Sequence, residues 1–213
     1  MDGVFGESGS DDVSSLKYGI IIISMENLET KIDTRNLQDE YKGMPNEQVF
    51  AELDKKRSAL EVAIENVEHD FNVGTIVRSA NNFNAAKVHI IGKKKYNRRG
   101  AMCTDKYLEI VYWADVESFY ADQLRRGREV VAIENNDSRV RPLARKKFVQ
   151  KTTLLFGSEG AGLTEEALSR AQDVREIENF GSTRSVNVGV AAGIAMYEWA
   201  RQCLLGGNGG EER

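Results

Sequence analysis

Histidine and cysteine are scarce, at two residues each in a chain of 213. His69, His89, Cys103 and Cys203 lie far apart and form no C-x-x-C pair. Nothing in this spacing organises a metal site or a disulfide framework, so no metal is expected and both thiols are expected to be free and at least half-buried. No apolar run approaches the roughly 20 residues of a membrane span. The run Ile20–Ile23 is too short, and no basic segment with a small-residue cleavage site precedes it. The expectation is a cytoplasmic protein without membrane contact. There is no internal repeat and no heptad run. A phosphate-loop signature is also missing: the glycines at 157, 160 and 162 are not followed by Gly-Lys-Ser/Thr, and their spacing is not G-x-G-x-x-G.

Apolar residues make up 41% and charged residues 29%, the balance of a soluble globular chain. The net charge of −4 is unevenly placed. Residues 1–70 hold 16 acidic and 7 basic side chains, a net of −9, whereas residues 71–213 hold 17 and 22, a net of +5. An acidic front end therefore conceals a basic body, which suits a polyanionic partner better than the total does.

The periodicity predicts an α/β domain. Residues 1–15, rich in Gly, Ser and Asp, read as a disordered tail. Residues 16–59 form an N-terminal extension with a β-type run at 18–24 and a helix from Asn46, which is read as its N-cap. The main domain covers 60–205, and 206–213 is a flexible tail. Within the domain, strand 60–67, a helix capped by Asn72 and running to about Phe83, and strand 87–91 compose a βαβ unit, so a parallel sheet follows. Further strands are expected at 109–113, 129–134, 153–156 and 174–177. Helices are expected at 116–126, 165–171 and 186–204, and a polar basic stretch at 135–150.

Three segments carry chemistry. Asn72-Val-Gly74-Thr-Ile-Val-Arg78 opens the first helix, with Arg78 near the Asn72–Thr75 face; a capped helix with a surface arginine is the plain alternative. The apolar Leu154, Leu155 and Phe156 run directly into Gly157-Ser-Glu159-Gly160-Ala-Gly162. A carboxylate in such a loop opposes a bound pyrophosphate and suits a cationic ligand or one with hydroxyl or amine donors. A tight structural turn is its alternative. The third segment passes Ile177 and Gly181 to Arg184, Ser185, Val186 and Asn187 at the start of a small-residue helix. Core packing accounts for that helix's alanines but not for the Ser/Thr/Asn cluster before it. Beside these, Lys93, Lys94, Lys95, Arg98 and Arg99 with Tyr96 form a basic loop suited to phosphate contacts and base stacking, or simply a solvated loop. Further bases cluster at 125–128 and 139–147.

Together these segments resemble the SpoU (TrmH-type) branch of the SPOUT RNA methyltransferases, over roughly residues 60–202. Asn72-x-Gly74-x-x-x-Arg78 looks like the family's first motif. Phe156-Gly-Ser-Glu-Gly160-Ala-Gly-Leu163 looks like the second, and Ser185-Val-Asn187 like the third. The resemblance implies a SPOUT-type parallel sheet flanked by helices, with a deep C-terminal trefoil knot. It also implies S-adenosylmethionine as cofactor, a homodimer, and ribose 2′-O-methylation of tRNA or rRNA. By position it implies an active site of Arg78, Glu159, Ser185 and Asn187, with Asn72 beside them. The cofactor would be held by Leu155, Phe156, Gly157, Gly160, Ile177 and Val186, and the RNA by Lys93, Lys94, Lys95, Arg98, Arg99 and Arg184. Two positions depart from the usual pattern: Val186 stands for leucine and Glu178 for proline. The first 59 residues do not look like the RNA-binding domain that many relatives carry. A non-catalytic RNA-binding member of the fold is the alternative. A dinucleotide-dependent oxidoreductase is disfavoured, because the first βα turn lacks the glycine fingerprint.

Overall fold

The computed structural model describes residues 33–66, 72–93 and 95–206. The expected tail at 1–15, the run at 18–24, the turn at 69–71, Lys94 and residues 207–213 lie outside them. The chain divides into two units, Met1–Met44 and Pro45–Arg213. In the first, the Asp33 carboxylate gathers the Arg35 guanidinium and the Gly43 N–H, at 2.9 and 2.8 Å.

The second unit opens with α1 (Asn46–Asp54). Pro45 takes the cap position expected of Asn46; the Asn46 side chain instead accepts a hydrogen bond from the Tyr107 hydroxyl at 3.3 Å. Then follow β1 (Glu61–Asn66), α2 (Asn72–Asn82), β2 (Lys87–Gly92), β3 (Glu109–Trp113), α3 (Val116–Arg125) and β4 (Glu129–Ile133). The two-residue β5 (Arg141–Pro142) lies within the stretch read as irregular. The chain closes with β6 (Thr152–Phe156), α4 (Glu165–Arg170), β7 (Asp173–Glu176) and α5 (Val188–Ala200), whose end loosens into a π-helical turn at Arg201–Leu205.

Among the described residues all seven strands are parallel, in the order β3-β2-β1-β6-β4-β7-β5. The predicted βαβ unit is present, with Val62 opposite Val88 and Ile64 opposite Ile90. The sheet is apolar on both faces, as parallel strands require. Alternation along β6 sends Leu154 and Phe156 into one core with Val62, Ile64, Ile76, Met196 and Trp199. Leu155 points into the other, with Ala63, Ile91, Phe119, Ala132 and Val174.

The chain lays β1, β2 and β3 outward to one side, then returns to build β4 on the other, and β6 enters between β1 and β4. Ligands of open α/β sheets bind beyond the carboxyl ends of strands at such a reversal. Sequence periodicity carries no information on this order.

One expectation about the thiols fails. Cys203 is half-buried, but Cys103 is exposed. Cys103 and its neighbour Met102 both sit in the left-handed region, at φ 65° and 48°, in the tight reversal between two 3-10 turns.

Candidate functional site: a glycine-lined pocket at the strand ends

β6 ends at Phe156, and the chain turns at once. The Ser158 N–H donates to the Gly162 carbonyl at 3.2 Å, and the Gly162 N–H returns a bond to the Ser158 carbonyl at 3.0 Å. Gly157 lies so close beneath this bridge that a Cβ there would be 2.1 Å from the Gly162 carbonyl carbon. Gly162 is itself left-handed, at φ +68°, with the Glu134 carboxylate in the space a Cβ would take. Glycine is therefore required at both positions. The loop is anchored from two other strand ends. Glu65, buried at the end of β1, accepts the Thr164 N–H at 2.8 Å and the Thr164 hydroxyl at 2.6 Å. Glu134, just after β4, accepts the Asn135 N–H at 2.8 Å and the Leu163 N–H at 3.2 Å.

This loop walls a pocket of about 190 Å³. The other walls are Ile133–Asn136 after β4, Glu176, Ile177 and Asn179 after β7, and Ser185, Val186, Val188 and Ala191 at the start of α5. Segment 177–187 is held across the opening by its own backbone: the Arg184 carbonyl accepts from the Asn135 amide at 2.7 Å and from the Asn179 amide at 3.1 Å. Among the described residues the pocket wall includes three glutamates and no lysine, arginine or histidine. The Ser158 hydroxyl, on a residue only 4% exposed, has no hydrogen-bond partner among the described residues.

At the pocket rim the three sequence segments meet through side chains. The Glu159 Oε2 accepts from the Asn72 amide at 2.7 Å, the Asn187 amide at 2.9 Å and the Val188 N–H at 3.1 Å. The Asn187 amide also donates to Asn72 Oδ1 at 3.0 Å, and Asn187 Oδ1 caps α5 by accepting from Gly189 and Val190. A carboxylate at the amino end of α5 is favoured by the unpaired N–H groups there. Asn72 differs from its expected capping role: it is the first residue of α2, and its side chain joins this cluster.

Of the residues expected to hold a cofactor, Phe156, Gly157, Gly160, Ile177 and Val186 line the pocket. Leu155 does not, since alternation turns it into the core on the other face. Ser185 also lines it. Sequence reading missed Glu134, Asn135, Asn179 and Ser158. Glu134 has one usable sign, an acidic residue directly after a buried strand; the asparagines have none that separates them from loop residues.

Arg78 is exposed one and a half turns into α2 and, among the described residues, makes no hydrogen bond or ion pair. The basic loop reaches the same helix end through backbone. A Cβ on Gly74 would meet the Asn97 carbonyl oxygen at 2.7 Å and the Gly100 Cα at 3.0 Å, so Gly74 serves the seating of this loop. Arg99 is exposed there, as are Lys93 and Lys95. Arg98 is ion-paired to Asp105. Tyr96 is 9% exposed and packs in the core, so it offers no face for base stacking. Burial, and then the charge of Asp105, push its phenol up to about 12. Arg184 is exposed on the segment crossing the pocket.

The other basic clusters are largely structural. Arg126 and Arg128 pair with Glu61, Arg139 with Asp137, and Lys146 with Glu129 and Asp173. Among the described residues no three His, Cys, Asp or Glu side chains gather to hold a metal, and no helix is long and apolar enough to cross a membrane.

Comparison with known proteins agrees with this geometry. A tRNA (guanosine(18)-2′-O)-methyltransferase of Thermus thermophilus is 27% identical over 159 residues, covering 73% of this chain and 81% of that protein. Its counterpart in Escherichia coli is 26% identical over 153 residues, covering 70% and 66%. Among solved structures, the A. aeolicus TrmH/SpoU tRNA modifying enzyme superposes with a TM-score of 0.66 at 26% identity, over 76% of this chain and 86% of that one. An AdoMet-bound rRNA methyltransferase from Sinorhizobium meliloti superposes with a TM-score of 0.63 at 25% identity, over 71% and 60%. Residues 59–197 match the model of the SpoU rRNA Methylase family. That match takes in the sheet and every segment that meets at the pocket, and the chain therefore belongs to the SpoU rRNA methylase family.

Proposed function

We propose that this protein transfers a methyl group from S-adenosylmethionine to a ribose 2′-OH of tRNA or rRNA. The observation that carries the reading is the Asn72–Glu159–Asn187 cluster, which joins the three motif segments at the rim of an anionic pocket. The residues present fit the cofactor. Among the described residues the wall has no cation to bind a phosphate, it has carboxylates and asparagine amides for amine and hydroxyl groups, and it has an unsatisfied buried hydroxyl on Ser158. Phe156, Gly157, Gly160, Ile177 and Val186 would hold it. When bound, it supplies an electrophilic methyl group on a sulfonium.

The chain's own groups then divide the remaining work. A guanidinium stays protonated at any working pH. Arg78 therefore stabilises the charge developing on the ribose oxygen or grips the adjacent phosphate, and the 2′-OH proton leaves to that phosphate or to water as the methyl group is transferred. The Glu159 oxygen that meets the rim already accepts three donors, so Glu159 acts by fixing the Asn72 and Asn187 amides, which orient the ribose. Ser185, on the pocket wall, assists. Lys93, Lys94, Lys95, Arg99 and Arg184 carry the phosphate contacts, with Arg98 a lesser member because Asp105 partly neutralises it.

We assign the methyltransferase fold to residues 60–205 and place its trefoil knot in the C-terminal part. The entry of β6 between β1 and β4, and the 177–187 segment tied by Asn135 and Asn179, support that placement. A homodimer is supported by an uncovered apolar stripe on α5, comprising Val190, Ile194 and Tyr197. The working compartment is the cytoplasm, where its RNA substrate is. Incubation with labelled S-adenosylmethionine and total RNA, followed by mapping of 2′-O-methyl positions, tests the function. Label on a base, or none on RNA, would reject it.

A further inference from the structure

The charge of the pocket wall is one-sided, and this has a consequence for the reaction cycle. Glu134, Glu159 and Glu176 line the pocket without a basic residue among the described wall. Glu134 is the informative member. It is half-buried just after β4, and among the described residues its two oxygens accept only backbone N–H groups, from Asn135 and Leu163. Neither donor is a cation, so hydrogen bonding holds the carboxylate in place without neutralising it. Gly162 is part of this design. Its missing side chain leaves the space into which the Glu134 carboxylate projects, 2.6 Å from where a Cβ would stand. A second sign of a ligand is the buried Ser158 hydroxyl on the same wall, without a partner among the described residues.

We propose that Glu134 makes this pocket select the cationic methyl donor over the neutral product that methyl transfer leaves behind. The inference rests on the cofactor assignment above. Donor and product share the adenine, the ribose and the amino-acid end, so hydrogen bonds to those parts hold both equally. They differ by one methyl group and one positive charge at sulfur. A fixed carboxylate in a small, partly desolvated pocket acts on that charge alone. Glu134 thus favours loading before transfer and release after it, and it is a specificity-determining residue with no proton to move.

Calorimetry on the full-length protein tests this with three ligands: S-adenosylmethionine, S-adenosylhomocysteine, and sinefungin, which carries an ammonium near the sulfonium position. The wild-type protein is expected to bind both cationic ligands at least about fivefold more tightly than S-adenosylhomocysteine. In Glu134→Gln, which keeps size and one acceptor, that ratio is expected to fall toward unity, chiefly through weaker binding of the cations. Glu134→Asp, which keeps the charge, is expected to keep most of the ratio. Equal loss for all three ligands in Glu134→Gln would make Glu134 a loop anchor only and overturn the proposal. So would an unchanged ratio. If Glu134→Gln does not fold, the wild-type preference for sinefungin over S-adenosylhomocysteine decides the matter, and its absence overturns the proposal. Failure of all three ligands to bind the wild type would instead strike the cofactor assignment itself.

Discussion

The two ends of the sheet handle charge in opposite ways. Near the start of the strands, Glu61 is buried with its carboxylate fully engaged. It receives the Arg126 guanidinium, the Arg128 guanidinium at 3.1 Å and the His89 Nε2–H at 2.8 Å. The Trp113 indole N–H, which only donates, reaches His89 Nδ1 at 3.0 Å. His89 must accept there and carry its proton on Nε2, so the histidine is a neutral link between indole and carboxylate. Beyond the strand ends, the Glu159 and Asn187 groups of the rim are exposed and bonded mainly to amides and backbone N–H groups, and Arg78, on the helix that Asn72 opens, has no partner among the described residues. Matched charges at one end secure the fold, and unmatched ones at the other leave capacity for a ligand.

Breaking the matched end gives the largest expected effect on stability. Glu61→Ala leaves the buried Arg128 guanidinium without its carboxylate and the half-buried Arg126 with Asp122 alone, and should cost about 3–5 kcal/mol in denaturant unfolding. The surviving folded fraction should retain its methyl-transfer rate. At the unmatched end, Arg78→Ala should lower methyl transfer by about 10²–10³-fold. Its unfolding midpoint and its calorimetric affinity for S-adenosylmethionine should hardly change. Retained turnover would remove Arg78 from the mechanism.

Acid sharpens the same contrast. Burial pushes the Glu61 carboxyl up, but His89, Arg126 and Arg128 outweigh it and hold the group at about 2. A carboxyl lowered on folding stabilises above its unfolded value and loses that contribution as pH falls through its folded value. Stability should therefore drop between about pH 4.5 and pH 2, by up to about 3 kcal/mol, and Glu61→Gln should flatten that part of the curve. The smallest effect is expected from Arg99→Ala. It should weaken RNA binding a few-fold, with the salt dependence shallower by about one counterion and the unfolding curve unmoved.

The expected helices and strands from residue 46 onward all appear, most within two residues of their predicted bounds, because each carries a local period and an end signal. Individual side chains departed from their expected roles through tertiary contacts. Asn72 left its capping role for Glu159 and Asn187, 87 and 115 residues away. Tyr96 lies among basic residues in the sequence, yet it packs beneath them in the core. β5 went unread because two residues hold no period.

By itself, the sequence determined the alternation of strand and helix, the glycine-bearing loop after a buried strand, and the three motif segments. These follow from spacing within a few residues, and glycine is required wherever backbone passes backbone at van der Waals distance. Only the tertiary structure decided that β6 enters between β1 and β4, that Asn72, Glu159 and Asn187 form one cluster, and which charges cancel. Bases at 126, 128, 139 and 146 look the same in sequence as those at 78 and 99. Their difference lies in whether the fold brings a carboxylate within reach, and that is settled by long-range packing.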